Sequence, residues 1–146
     1  MNWITPVLVR LGATSTSVSN ETIEPTNEDE FSLLQFTSES PITWEMYKQV
    51  RDNYQLERGL KQIRIKRDTL LQESDWITIP VNWDRLENKI EWDAYRQALR
   101  DLPQNIALEN FVWIALQRID MTKIVFPTKP RVIFITTPSE STPEQP

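Results

Sequence analysis

Apolar positions in this chain follow two rhythms. From Tyr47 to about Gln72 they recur at three- and four-residue spacing: Tyr47, Val50 and Tyr54, then Leu56, Leu60, Ile63 and Leu70. That period puts them on one side of a helix of roughly seven to eight turns. Thr43 stands at the N-cap, where its hydroxyl can accept from a first-turn amide. Gly59 lies inside the repeat at a cost of ~1 kcal/mol relative to alanine. The stripe shifts phase there, so a kink or a break into two helices is expected. A second helix is expected from Asn82 or Asp84, with Glu87 as reciprocal capping partner of Asp84. It runs to about Asp101, with Leu86, Ile90, Ala94, Ala98 and Leu102 along one side and Trp92, Tyr95 and Leu99 widening the face. Pro103 ends it. Between the helices, Ser74-Asp75 breaks the period. Trp76 to Pro80 then reads as an extended elbow, since a residue before proline is biased away from helix.

The other rhythm is that of short β-branched and aromatic runs. Trp3 to Leu11 reads as an edge strand or extended arm because Pro6 interrupts it, and Gly12 closes it. Residues 13–30 form a polar linker. Phe31 to Phe36 fits helix or strand equally. Phe111 to Leu116 fits a buried strand or a short helix, and Arg131 to Thr136 a strand. The expected class is therefore α+β, a helix–elbow–helix core with short β or extended N- and C-terminal arms. Its parts are an arm and linker at 1–42, a helical module at 43–103, a short strand or extended segment at 104–137, and a disordered-type tail at 138–146. The strand-like runs near the two ends suggest a sheet between residues 1–42 and 111–136.

Composition then narrows the chemistry. The 146 residues include no cysteine and no histidine. Disulfides, a thiolate nucleophile, the common zinc sites and a Ser-His-Asp triad are all excluded. Two glycines are too few for a phosphate-cradling loop. A formal charge of −5 opposes nucleic-acid binding, which needs clustered cations. The one basic run, Lys61 to Arg67, spreads around a helix axis and reads as a solvated face. No apolar run reaches the ~18 residues of a membrane span, and the N-terminus lacks a signal-peptide pattern. A soluble cytoplasmic protein that is not an enzyme and holds no metal or cofactor is expected.

Acids are the abundant catalytic candidates. Asp84, Glu87 and Glu91 are spaced to share one helix face, which suits acid–base or hard-metal chemistry; against Arg85 and Lys89 they read as an ordinary solvated face. Arg96, Arg100 and Asp101 end the second helix, where cations complement its dipole. Arginine beside aromatics is also typical of interface anchors. Trp76 and Trp92 divide between core and contact roles.

Two blocks are more specific than these patterns. Arg67-Asp68-x-Leu70-Leu71 is followed by Ser74-Asp75-Trp76 and Pro80. Then comes Trp92-x-x-Tyr95-Arg96-Gln97-Ala98-Leu99-Arg100-Asp101-Leu102-Pro103, with Phe126-Pro127-Thr128-Lys129-Pro130 downstream. The stretch from Ile63 to Pro103 resembles the phage tail assembly chaperone family. The resemblance implies a non-enzymatic protein that binds a tail or tail-fibre component in the host cytoplasm during assembly. Trp76, Trp92, Tyr95, Arg96 and Arg100 are then the candidate contacts on a two-helix platform. The alternative is a structural virion component of the tail, neck, baseplate or fibre attachment. Its arms at 1–42 and 120–146 would pair with neighbouring subunits, homo-oligomers included, by strand addition.

Overall fold

A computed structural model describes residues 2–19 and 21–136, with only the backbone of Leu116. The expected 138–146 tail lies outside the described residues. The fold is α+β. Helix α1 (Ile4–Arg10) precedes strand β1 (Ala13–Thr16) and α2 (Glu28–Ser32) precedes β2 (Phe36–Ser38); then come three helices, α3 (Trp44–Gln72), α4 (Pro80–Arg85) and α5 (Lys89–Asp101), and last the strands β3 (Trp113–Ile114) and β4 (Arg118–Ile119). The chain divides into two compact units. One contains residues up to Ile65 together with Pro103–Val125; the other contains Lys66–Leu102 and the described residues from Phe126 on.

In the first unit, the apolar run at Trp3 to Leu11 is a helix and not the expected strand. Pro6 falls in the first turn, where its missing N–H has no intrahelical partner to lose. Side chains supply what that turn needs: Asn2 Oδ1 accepts from the Ile4 N–H at 2.7 Å and Glu24 Oε2 from the Trp3 N–H at 3.0 Å. Ile4, Val7 and Leu8 are buried on its inner face. They form a core with Trp3, Phe31 and Tyr47, against which Tyr54 and Trp113 also pack. The Trp3 and Trp113 rings meet edge to face with centroids 4.8 Å apart. The Tyr47 hydroxyl donates to Glu24 Oε1 at 2.6 Å. Burial first, and then this carboxylate, push the phenol pKa far up.

The polar segment at 13–30 is less irregular than its composition suggests. β1 pairs antiparallel with β2, with an irregularity between Ala13 and Ser15. Asn27 caps α2 by accepting from the Glu30 N–H at 2.9 Å, and Glu30 reaches back to the Thr26 N–H at 2.7 Å. The Phe31–Phe36 ambiguity resolves as both forms, since α2 ends just before β2 begins. The suspected sheet between 1–42 and 111–136 is absent among the described residues. β3 pairs with β4 and not with the N-terminal strands. The two regions meet through Trp3 and Trp113 side chains instead.

α3 passes through Gly59 without a break. The glycine is there for space: a Cβ would lie 2.6 Å from Phe111 Cδ2, too close for any real contact. Thus Phe111 can pack directly against the helix backbone, at 7% exposure.

Candidate recognition surface

The second unit is the observed form of the helix–elbow–helix. After α3, residues Asp75–Thr78 make one 3₁₀ turn, where an extended segment was expected. Ile79 alone is extended, as its proline neighbour requires. Pro80 then opens α4 at its favoured first position. Asn82 does not cap the second helix; its Nδ2 donates to the Trp76 carbonyl at 2.8 Å and pins the elbow.

One expected helix from 82 or 84 to 101 is in fact two, α4 and α5. The interruption comes from the C-terminal segment. The Glu87 N–H donates to the Ile133 carbonyl and the Ile135 N–H to the Arg85 carbonyl, both at 2.8 Å, framing an antiparallel bridge between Leu86 and Phe134. Asn88 Nδ2 adds a bond to the Arg131 carbonyl at 2.8 Å. Backbone pairing of residues distant in sequence thus outweighs local helix preference. It also separates the acids: Asp84 is on α4, Glu87 in the link, and Glu91 on α5, where its Oε2 accepts from Asn88. They share no helix face. No group of three or more metal-ligating side chains occurs among the described residues.

The core of this unit is Ile77, Leu86, Trp92, Tyr95 and Leu99, with Leu70, Leu71, Trp83 and Phe126 packed against it. The inner stripe of α5 is therefore 92-95-96-99. The expected stripe of Ile90, Ala94 and Ala98 faces outward, and Ile90 is 84% exposed. Two full aromatic rings bury more area than Ile and Ala, and they set the helix rotation. Trp92 and Tyr95 meet edge to face at 5.9 Å. Burial, and secondarily Glu73, raise the Tyr95 pKa. The Trp92 indole N–H is buried without a protein partner.

Arg96 is the centre of the polar bonding. Only 8% exposed, its Nη1 donates to the Leu71 carbonyl at 3.0 Å and to Ser74 Oγ at 2.5 Å, and its Nη2 to Asp75 Oδ1 at 2.8 Å. Ser74, fully buried, donates its own hydroxyl to the same Leu71 carbonyl at 2.9 Å. The last turn of α3 leaves carbonyls without helical partners. Here one guanidinium closes that end and ties it to α5.

Of the five residues expected on a contact platform, Trp92, Tyr95 and Arg96 are therefore buried inside the unit. Trp76 and Arg100 are on the surface. Trp76 is 39% exposed and is followed by Ile79 at 50% and Val81 at 67%. Ile79 and Val81 were not among the sequence candidates. The only hint was their position around Pro80, where a tight elbow leaves little room to fold side chains inward.

Residues 60–131 match a family model described as phage tail assembly chaperone protein. Over this segment, just under half of the chain, the protein is similar to that family. The segment includes the whole second helix pair and Phe126 to Pro130. The family ties the chain to phage tail assembly, which takes place in the host cell and involves a tail protein as partner. No curated protein and no solved structure matches the chain. No helix among the described residues is long and apolar enough to cross a membrane.

The geometry explains what the family-like residues do. Leu70, Leu71, Ser74, Trp92, Tyr95, Arg96 and Leu99 all build the inside of the unit. Arg67 pairs with Asp68 at 2.7 Å, and Gln97 with Asp101 at 2.9 Å. Apart from Trp76 and Arg100, the motif is largely a folding signature.

Proposed function

We propose that the chain is a non-enzymatic assembly factor that captures a tail or tail-fibre protein on the apolar elbow of its family segment. Trp76, Ile79 and Val81 form the capture surface and Arg100 is a peripheral contact. The carrying observation is that Trp76 stays exposed in a unit whose Trp92 and Tyr95 are inside. A half-exposed tryptophan with aliphatic neighbours is the usual makeup of an interface anchor. Trp92, Tyr95 and Arg96 act in this reading by holding the elbow in place. The test is co-purification with the tail proteins of the same phage. Trp76→Ser with Val81→Ser should lose the partner while keeping the far-ultraviolet circular dichroism of the parent. Capture at parental level by that variant refutes the elbow as the site.

A second reading is supported by the C-terminal segment. Val132, Ile133, Phe134 and Ile135 are 38–54% exposed in a row. A segment of this kind suits strand addition to a neighbouring subunit, as in a virion component that stays in the tail. Mass spectrometry of mature particles separates the two: stoichiometric copies favour the virion component, and absence favours the transient factor.

A further inference from the structure

The first unit carries a cationic groove on a chain with a formal charge of −5. It is an open cavity of about 300 Å³ lined by Arg58, Lys61, Gln62 and Ile65 of α3, with Gln117 and Arg118. Arg58, Lys61 and Arg118 are exposed. Among the described residues none of the three has a carboxylate partner, whereas Arg10, Lys48, Arg51, Arg67 and Arg96 each have one. The sequence disperses these charges, with Arg118 far along the chain. The fold assembles them.

The assembly is specific. Gln62 Nε2 donates to the Gln117 carbonyl at 3.1 Å, and Gln62 Oε1 accepts from the Ile119 N–H at 3.0 Å. These two bonds clamp the loop onto α3 beside Arg58 and Lys61. Gln117 holds φ at 56°, a left-handed conformation that non-glycine residues seldom adopt. Its side chain is in turn fixed to the Asn2 carbonyl at 3.3 Å. The backbone is held in this unfavourable shape, and that shape presents Arg118 to the groove.

We propose that this groove receives a carboxylate-rich, extended segment of a partner protein. Two arginines offer planar forks that match carboxylates. Ile65, 60% exposed, adds an apolar wall that suits a peptide side chain between acids. The volume lies at the lower limit of ligand pockets, about 300–1,000 Å³, and fits side chains better than a free cofactor. Three cations on a net-acidic chain are too few for the counterion release that drives nucleic-acid binding. The proposal relies on the assembly reading only for the source of the segment. It concerns a surface other than the elbow, so the two can fail separately.

Fluorescence anisotropy tests it, using the full chain and a labelled, end-capped peptide of alternating glutamate and leucine. Binding should weaken with added salt. In Arg58→Ser/Lys61→Ser/Arg118→Ser it should fall roughly tenfold, since three exposed ion pairs of ordinary strength sum to about that factor. Lys123→Ser/Lys129→Ser/Arg131→Ser changes net charge equally at residues that do not line the groove and should bind as the parent does, as should Trp76→Ser. Circular dichroism checks that each variant is folded. No peptide binding by the parent at low salt overturns the proposal, and so does equal loss in both triple variants. A single-stranded oligonucleotide of matched charge binding as tightly overturns it in favour of a general polyanion site. Self-association that the groove variant abolishes overturns it in favour of a second copy.

Discussion

Replacing Arg96 distinguishes a residue that holds the elbow from one that grips a partner. In the folded chain its guanidinium bonds the Leu71 carbonyl, Ser74 Oγ and Asp75. The three bonds are not equal. The Leu71 carbonyl keeps the Ser74 N–H and hydroxyl as donors when the arginine is gone, so its share is about 1 kcal/mol. Asp75 has a side chain 59% exposed, which limits that ion pair to under ~1 kcal/mol. The bond to fully buried Ser74 is charge-assisted and contributes about 1.5 kcal/mol or more. Lost packing of the aliphatic stem adds to this, while relief of guanidinium desolvation subtracts. Arg96→Ala should therefore cost the unit about 3 kcal/mol. Arg96→Lys, one point charge in place of a fork, should cost about 1–2 kcal/mol. The two units need not unfold together, so the local measure is amide hydrogen exchange across Tyr95 to Asp101. A loss of 3 kcal/mol there accelerates exchange by about 100-fold. Partner capture by Arg96→Lys should remain near parental level. Unchanged exchange in Arg96→Ala together with lost capture would refute the reasoning and make Arg96 a contact residue.

Trp92→Ala should cost about 3–5 kcal/mol as a large core truncation. Trp92→Phe should cost clearly less, because it also removes a buried N–H that has no protein partner; urea unfolding followed by near-ultraviolet circular dichroism measures both. Gly59→Ala should destabilise the first unit by about 1 kcal/mol, since a clash with Phe111 of about 1–3 kcal/mol exceeds a helix gain of ~1 kcal/mol. Combination with Phe111→Leu should recover part of that loss in a double-mutant cycle on Tm. The Glu30 carboxyl is held below its ordinary value of 4.5, first by the Thr26 backbone N–H and then by the Thr26 hydroxyl. A lowered folded pKa adds stability that is complete above about pH 4.5 and disappears as pH falls through the folded value; an NMR carboxyl titration should show Glu30 titrating low, and closer to its ordinary value in Thr26→Pro. The Tyr47 phenol is displaced the opposite way, so the stability it carries is complete below about pH 10 and declines as pH rises further. Ultraviolet absorbance titration should show its ionisation coinciding with alkaline unfolding.

Local chemistry carried much of this fold into the sequence. The α3 period, the Pro80 elbow, the end at Pro103 and the family motif are all nearest-neighbour or helical-turn signals. What escaped had long-range causes. Leu86 to Asn88 leave the helix because residues 131–135 pair with them. Pro6 could equally mark a strand edge or a helix start, and only the Asn2 and Glu24 caps decide between them. Gly59 reads as a weakness until Phe111 arrives from about a third of the chain's length away. The site was legible in the same uneven way. The motif located the unit, yet its Trp, Tyr and Arg letters could not be divided into inside and outside without the rotation of α5. Trp76 kept its place at the surface, while Ile79 and Val81 became visible only once the elbow was folded. The Arg58–Arg118 groove has no counterpart in any local window.

The contact between Trp3 and Trp113 also fixes an order of events on the ribosome. Ile4, Val7 and Leu8 emerge first, but the ring that covers Trp3 is made more than a hundred residues later, as is Gln117, whose amide reaches Asn2 across 115 positions. The Arg96 bonds, by contrast, close over 21 to 25 positions. Short closures form early and long ones late. During synthesis the family segment can therefore set its elbow while the chain's own N-terminal helix still lacks its cover. The chain thus begins its life with an apolar surface of its own still uncovered.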